Sequence, residues 1–192
     1  MNLEEQVGSL RKKTTYRILE YPIETILEKY NTKQEEIASA DYEHADTAIY
    51  VPWYQRRFIW NKTRQSKFIE SVFMDLPIPY VFLADIGRKD AFLEIIDGRQ
   101  RIETLNRFVR GQLKIQNLGL LKELSGLYFK DFPVGMQRRF LATPLRAVMF
   151  LGQCDEQYIE EIFTRLNLGV PALTLKGFRR KSSVCWKNKL NS

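Results

Sequence analysis

The chain has 192 residues, 44% hydrophobic and 28% charged, which is enough apolar surface for one packed domain and excludes wholesale disorder. One histidine, His44, and two cysteines, Cys154 and Cys185, exclude a disulfide framework, a four-ligand zinc site and any site that needs two histidines. No apolar run approaches the roughly 18 residues of a membrane span and the acidic N-terminus lacks a leader pattern, so we expect a cytoplasmic protein without a membrane partner.

Two elements are predicted before residue 60. Residues 15–30 carry five Ile and Leu side chains, and Pro22 is placed to begin a helix at Ile23. Residues 47–51 are mostly β-branched or aromatic and precede Pro52, a pattern that predicts a strand.

A helix and a hairpin are predicted next. Asn61 is a candidate N-cap for a helix over residues 62–75. The apolar face of this helix consists of Phe68, Ile69, Val72 and Phe73. Leu-Pro-Ile-Pro at 76–79 ends the helix, and residues 80–83 and 91–96 predict two strands joined by a turn.

Another helix follows the hairpin directly. Asp97 is its candidate N-cap, and Gln100 three residues later completes the spacing of a capping box. Gly111 is expected to end the helix. Its expected buried stripe consists of Ile102, Leu105, Phe108 and Val109.

The remaining elements predict a mixed fold. A short helix is expected over 134–142, a strand over 144–150 and a last helix over 155–166. The sum is an α+β domain, a small mixed sheet with helices packed on it. We expect a helical extension over 1–46, the α+β domain over 47–170 and a basic tail over 171–192.

The positive charge is concentrated in the tail. The formal net charge is +7, from 30 Lys and Arg and 23 Asp and Glu. Six basic residues and no acid lie in 176–192, so residues 1–175 hold 24 basic and 23 acidic residues. A basic tail can contact nucleic acid, but the lack of a regular helical face favours a solvated end.

The most informative segment is Asp97-Gly98-Arg99-Gln100-Arg101, where the second hairpin strand meets the helix. A helix N-terminus presents unpaired N–H groups and the positive end of the helix dipole, which together suit an anion. Two arginines in this turn oppose the helix dipole and destabilise the helix by a few tenths to about 1 kcal/mol unless an anion is bound. The spacing alone fits equally a phosphate site and an ordinary turn with solvated arginines.

Two further segments combine aromatic, basic and amide side chains. In residues 51–60 we expect Trp53, Phe58 and Trp60 to anchor the loop to the core. The residues expected to contact a nucleotide or nucleic acid are Tyr54, Gln55 and Arg56. In residues 162–169, spacing alone predicts that Arg165 and Asn167 lie at the C-terminal end of a helix, where they need no ligand.

Together these segments resemble the ParB/sulfiredoxin-like domain at the N-terminus of GmrSD-type, modification-dependent restriction enzymes. The matching motifs, in order, are Val-Pro-Trp-Tyr-Gln-Arg at 51–56 with Trp60, Leu-Pro-Ile-Pro at 76–79, Asp-Gly-Arg-Gln-Arg at 97–101 and Phe-Thr-Arg-Leu-Asn at 163–167. The resemblance covers about residues 47–170. Arg99 stands where that family has Gln, which adds charge to the anion site and leaves open whether nucleotide turnover is kept. Gly177 stands where the family has an acid, and the basic tail that follows is expected to be truncated or disordered.

The resemblance implies a domain that binds, and in several members hydrolyses, a nucleoside triphosphate, for which GTP, ATP and CTP are the candidates. It also implies a DNA-restriction or phage-defence system whose partners are DNA, including modified DNA, and a nuclease on another domain or chain. The single histidine argues against an HNH nuclease in this chain, and no cysteine lies at the turn for sulfiredoxin chemistry.

These inferences assign roles residue by residue. The candidate catalytic residues are Asp97, Gln100 and Arg101, with Gln100 orienting the attacking water. The candidate nucleotide-binding residues are Gly98, Arg99, Gln100, Arg101 and Thr104. Asp97 has two open roles, helix cap or Mg²⁺ ligand, and Glu94 and Glu103 are lesser candidates for metal or base. The resemblance adds Arg165 and Asn167 to Tyr54, Gln55 and Arg56 as contacts to nucleotide or nucleic acid.

Two alternatives to a triphosphate hydrolase remain open. In the first, the chain is a non-catalytic DNA- or partner-binding module, and the same arginines contact DNA phosphates. In the second, it is a remnant that keeps the fold without activity.

Overall fold

The structure, a computed structural model, describes residues 2–13, 15–36, 48–52, 55, 57–85, 93–151, 161–162 and 164–165. Its elements are α1 (Leu3–Lys13), β1 (Tyr16–Pro22), α2 (Ile23–Glu36), β2 (Ile49–Tyr50), α3 (Lys62–Phe73), β3 (Val81–Asp85), β4 (Leu93–Asp97), α4 (Arg99–Val109), α5 (Val134–Ala142) and β5 (Pro144–Phe150). Single 3-10 turns lie at Lys122–Leu124 and Phe129–Asp131. Among the described helices, none combines the length and the apolar character that crossing a membrane requires.

The five strands form one mixed sheet in the order β1-β5-β3-β4-β2. Strands β3 and β4 pair antiparallel as the predicted hairpin, and β1 pairs antiparallel with β5. The pairs β3–β5 and β4–β2 are parallel. The predicted α+β class with a small mixed sheet is therefore confirmed.

The main core lies between one face of this sheet and helices α2, α3 and α4. Ile26, Ile69 and Leu105 come from the three helices and are fully buried. A smaller cluster on the opposite face contains Ala84, Ile96, Val148 and Phe150, with Ile162 packed against it. Strand β4 is buried along Leu93–Ile96, because it is covered on both faces, and it carries its last residue, Asp97, to the edge of the core.

Local sequence signals placed most elements correctly. Helix α2 begins at Ile23, directly after Pro22, and the predicted bounds of α5 and β5 match the structure. Asn61 is the N-cap of α3, and its Oδ1 accepts a hydrogen bond of 2.9 Å from the backbone N–H of Arg64. Gly111 ends α4 with a positive φ of 70°, as expected.

Strand β1 was not predicted. Five of its seven side chains are exposed and none is fully buried, so the buried face typical of a strand is missing. Its place at the edge of the sheet comes from pairing with β5, far along the chain. Within the segment expected as an N-terminal extension, β1 thus supplies an edge strand and α2 supplies core side chains.

Several expectations concern residues outside the described ranges. They are the turn at 86–90, most of the last predicted helix and the basic tail. Of that last helix, residues 161–162 and 164–165 are described as helical.

A buried carboxylate fixes the loop that follows α4. Glu70 is 7% exposed, and its Oε1 accepts hydrogen bonds from the backbone N–H groups of Leu120, at 2.8 Å, and Leu121, at 2.7 Å. Burial raises the pKa of Glu70, but the backbone hydrogen bonds from residues 119–121 and the charge of Lys67 outweigh burial and hold the pKa below its ordinary value of 4.5. The ionised form of Glu70 therefore stabilises the fold.

We expect Glu70→Gln to lower the free energy of unfolding by about 1–3 kcal/mol at pH 7, because the ionised acceptor of two part-buried N–H groups becomes a neutral amide oxygen. The folded-state pKa is depressed, so the contribution is fully present above pH 4.5 and is lost as the pH falls through the folded-state pKa. Urea unfolding of both proteins at pH 7 and pH 3 measures this. The exposed Glu123→Gln is the control, and an equal difference between Glu70→Gln and wild type at both pH values would contradict the assignment.

Candidate functional site

Strand β4 passes into helix α4 through one residue, Gly98. Its φ of 106° and ψ of −1° are left-handed, and it is the N-cap of the helix. A Cβ at this position would lie 3.0 Å from Cγ2 and 3.2 Å from Cα of Val81 on the neighbouring strand. Backbone conformation and close packing therefore both require glycine.

The capping box predicted for this helix is wrong. Asp97 is the last residue of β4, the N-cap is Gly98, and no side chain caps the helix. The carboxylate of Asp97 is bound by Arg101, and the amide of Gln100 binds a different segment of the chain. Both side chains thus have stronger or better-placed partners than the backbone N–H groups of the first turn.

Arg101 is held between two strand ends. Its Nη2 donates to Oδ2 of Asp97 at 2.7 Å and to the carbonyl oxygen of Tyr80 at 2.9 Å. The side chains of Arg101 and Asp97 are 14% and 30% exposed. The Nε of Arg101 is buried and has no hydrogen-bond acceptor among the described residues. The guanidinium is thus only partly satisfied by the described protein groups.

Gln100 fastens the segment 57–60 to the start of α4. Its side chain is buried, and Oε1 accepts hydrogen bonds from the backbone N–H groups of Ile59, at 2.9 Å, and Trp60, at 3.1 Å. Its Nε2 donates to the carbonyl oxygen of Arg57 at 3.2 Å. These three bonds, which we call the Gln100 clamp, use the amide that was expected to orient a water molecule.

Gln55 and Arg99 continue the same junction. Gln55 Nε2 donates to the carbonyl oxygens of Ile95 and Ile96, each at 2.9 Å, beyond the part of β4 that pairs with β2. Arg99 Nη1 donates to the carbonyl oxygen of Gln55 at 3.2 Å. The structure therefore brings Gln55 and the 97–101 turn together, as the predicted site requires, through contacts within the protein.

Three other candidates have internal partners. Thr104 is fully buried and its hydroxyl donates to the carbonyl oxygen of Gln100 at 2.7 Å, so its side chain does not face a ligand. Glu103 accepts hydrogen bonds from the hydroxyl of Tyr30 and from Nε of Arg107. Burial, and then Glu103, raise the pKa of Tyr30, which remains a neutral donor. Glu94 is buried in strand β4.

The remaining candidates are not joined to this turn by described contacts. Arg165 is exposed and its Nε binds Oε1 of Glu161 at 2.7 Å. Tyr54, Arg56 and Asn167 lie outside the described residues. The described part of the chain also contains no group of three or more His, Cys, Asp or Glu side chains arranged to hold a metal. The turn at 97–101 itself contains a single carboxylate, that of Asp97.

Sequence reasoning missed the residues that hold this site together. They are Gln65, whose Nε2 donates to the carbonyl oxygen of Trp60 at 2.8 Å, and Tyr80, whose carbonyl oxygen binds Arg101. A polar side chain on the buried face of α3 was the available signal for Gln65. No side-chain signal exists for a backbone carbonyl.

We expect Gly98→Ala to destabilise the protein by at least about 2–3 kcal/mol, because it adds a close contact with Val81 to an unfavourable φ. Gly111→Ala is the matched control, since Gly111 has a φ of 70° but nothing lies within 4 Å of the point that its Cβ would occupy. That change is expected to cost about 1–2 kcal/mol. Thermal and urea unfolding measure both, and equal losses would mean that contact with Val81 is unimportant.

We expect Gln100→Ala to leave two backbone N–H groups and one carbonyl group without partners, which costs about 1–3 kcal/mol. Hydrogen exchange at the amides of Ile59 and Trp60 should accelerate by about tenfold or more, because their acceptor is lost. The exposed Gln112→Ala is the control. Unchanged exchange at both amides would argue against the Gln100 clamp.

Comparison with known proteins gives one family. The model of the GmrSD restriction endonuclease, N-terminal domain, matches residues 23–175, most of the chain. The match includes helix α2, the turn at 97–101 and most of the strands that surround it. No match was found among curated proteins or among solved structures.

Proposed function

The chain belongs to the family of GmrSD restriction endonuclease N-terminal domains, and on this premise we propose that it binds a nucleoside triphosphate at the start of helix α4. As a member of that family it is a component of a restriction or phage-defence system. We propose GTP, ATP or CTP as the ligand, with DNA and a nuclease as the partners of the complete system.

The observation that carries this proposal is the guanidinium group of Arg101 at the first turn of α4, which the described residues satisfy only in part. That turn holds Arg99 and Arg101 at the positive end of the helix dipole and contains no acid. The Nε of Arg101 is buried without an acceptor among the described residues, which is costly for a charged group unless a ligand supplies one. Phosphate oxygens are the ligand atoms that guanidinium groups and helix N-termini share as partners.

The pair between Asp97 and Arg101 determines how a phosphate would enter. In the structure Nη2 of Arg101 donates to the carboxylate of Asp97, and a phosphate oxygen would accept from the same nitrogen. Binding would therefore require exchange of one anionic partner of Arg101 for another. Asp97 would then be available to Mg²⁺, which takes one or two protein carboxylates together with phosphate oxygens. In any hydrolysis, the bond that water cleaves would be a phosphoanhydride bond of the triphosphate.

A specific observation favours a second candidate, binding without turnover. Gln100, the residue proposed to orient water, has both ends of its amide bound to the backbone of residues 57–60. Hydrolysis through Gln100 would require opening of the Gln100 clamp. A non-catalytic module, whose nuclease partner carries out all chemistry, needs no such opening.

We expect Arg101→Ala to weaken triphosphate binding by about tenfold or more, because one charge-assisted hydrogen bond contributes roughly 1.5–3 kcal/mol. Asp97→Asn should bind more tightly than wild type without Mg²⁺ and gain nothing when Mg²⁺ is added. Thermal shift with ATP, GTP, CTP and UTP selects the nucleotide, and calorimetry with and without Mg²⁺ measures the affinities.

Arg138→Ala, an exposed change on α5, is the control for altered charge. Triphosphate binding that is unchanged in Arg101→Ala would contradict the proposal. Phosphate release by the wild type, measured in the same samples, separates the two candidates: release supports the hydrolase, and binding without release supports the non-catalytic module.

A further inference from the structure

A second positive surface lies beside the 97–101 turn. Residues 57–69 contain four basic residues and no acid, and all four basic side chains are exposed. The acid that follows them, Glu70, is buried and bound to backbone N–H groups, and of the four basic residues it interacts electrostatically with Lys67. The four basic residues, which we call the basic strip, are Arg57, Lys62, Arg64 and Lys67.

Aromatic rings order one guanidinium group of the basic strip and one beside it. The Cζ of Arg64 lies 4.7 Å from the ring centroid of Trp60, and the Cζ of Arg107 lies 4.0 Å from that of Phe58. Trp60 in turn packs edge-on against Phe68, with ring centroids 5.6 Å apart. Stacking reduces the side-chain freedom that these arginines would lose when they bind a ligand.

The start of α3 adds to the same charge. Lys62 and Arg64 lie in its first turn, which contains no acid, so side-chain cations and the positive end of the helix dipole coincide. Arg64 and Lys67 are three residues apart and share the outward face of the helix, since Ile69 and Val72 face the core. The basic strip thus combines charge from side chains and from the backbone of α3.

We propose that the basic strip docks on the sugar–phosphate backbone of double-stranded DNA. A row of exposed cations without interspersed acids complements a regular row of phosphates, and such contacts fix position on a duplex without reading its sequence. A protein surface would instead present separate carboxylates and apolar side chains. DNA is the polyanion on which a restriction system acts, so charge and family lead to the same partner.

The inference is independent of triphosphate binding, although the two surfaces are mechanically connected. The Gln100 clamp joins the backbone of residues 57–60 to the second residue of α4. The first turn of α4 and the start of the basic strip are therefore in direct hydrogen-bond contact. DNA binding and nucleotide binding can be measured separately.

The test is the salt dependence of binding to a 30-base-pair duplex, measured by fluorescence anisotropy. We expect wild type to show a steep linear fall of log affinity with log salt concentration. Arg57→Gln, Arg64→Gln and Lys67→Gln, combined, should weaken binding by at least about tenfold and reduce the slope by about 2 to 3, since each lost phosphate contact removes about 0.9. The melting temperature and the nucleotide-induced thermal shift should not change.

The control variant combines Arg11→Gln, Arg17→Gln and Arg138→Gln. It removes the same charge from exposed positions on α1, on the edge strand β1 and on α5. Equal loss of affinity in the two triple variants would overturn the proposal, because net charge alone would then explain binding. Failure of wild type to bind the duplex, or equal competition by polyglutamate, by duplex RNA or by anionic lipid vesicles, would overturn it as well.

Discussion

The left-handed backbone of Gly98 is the constraint on which the candidate site depends. It turns the chain from a buried strand into a helix within one residue, while Val81 packs so closely that a Cβ on Gly98 would lie 3.0 Å from its side chain. No larger residue fits both the conformation and the space. The first turn of α4 is therefore fixed against the end of the sheet, and the side chains of the next three residues leave it in set directions.

Those three side chains all bind backbone groups of other segments. Arg99 reaches the carbonyl oxygen of Gln55, Gln100 holds residues 57–60, and Arg101 reaches the carbonyl oxygen of Tyr80. The polar motif that indicates ligand chemistry thus also fastens two loops to the end of strand β4. Substitutions here change the fold and the candidate site together, so binding measurements on such variants need a stability measurement beside them.

Most of the fold was predictable because its signals are local. Pro22 before α2, Asn61 before α3 and Gly111 after α4 each act within a few residues of their own position. The capping-box prediction was wrong because, like the other local rules, it considers only residues that are close in sequence. The spacing of Asp97 and Gln100 fits a box, but the rule does not include Arg101 or the backbone of residues 57–60 as competing partners.

The contacts that position the site were beyond the reach of sequence reasoning. Gln100 binds residues about 40 positions away, and Glu70 binds residues about 50 positions away. A polar side chain within an apolar helix face does signal that a partner exists, as at Glu70 beside Ile69, but it does not identify the partner. The charge and helix position of residues 97–101 predicted a ligand site there, and that site stays a prediction. The hydrogen bonds that these residues make within the protein required coordinates.

The pairing of β1 with β5 also governs the order in which the protein assembles. Glu20 on β1 and Arg146 on β5 are 126 residues apart in the chain, yet they pair across the sheet at 2.6 Å. During synthesis on the ribosome, β1 therefore emerges long before its partner exists. The hairpin of β3 and β4, which leads directly into the turn at Gly98, closes over a short loop and can form first. The nascent chain thus builds the turn at Gly98 before it completes the far edge of the sheet.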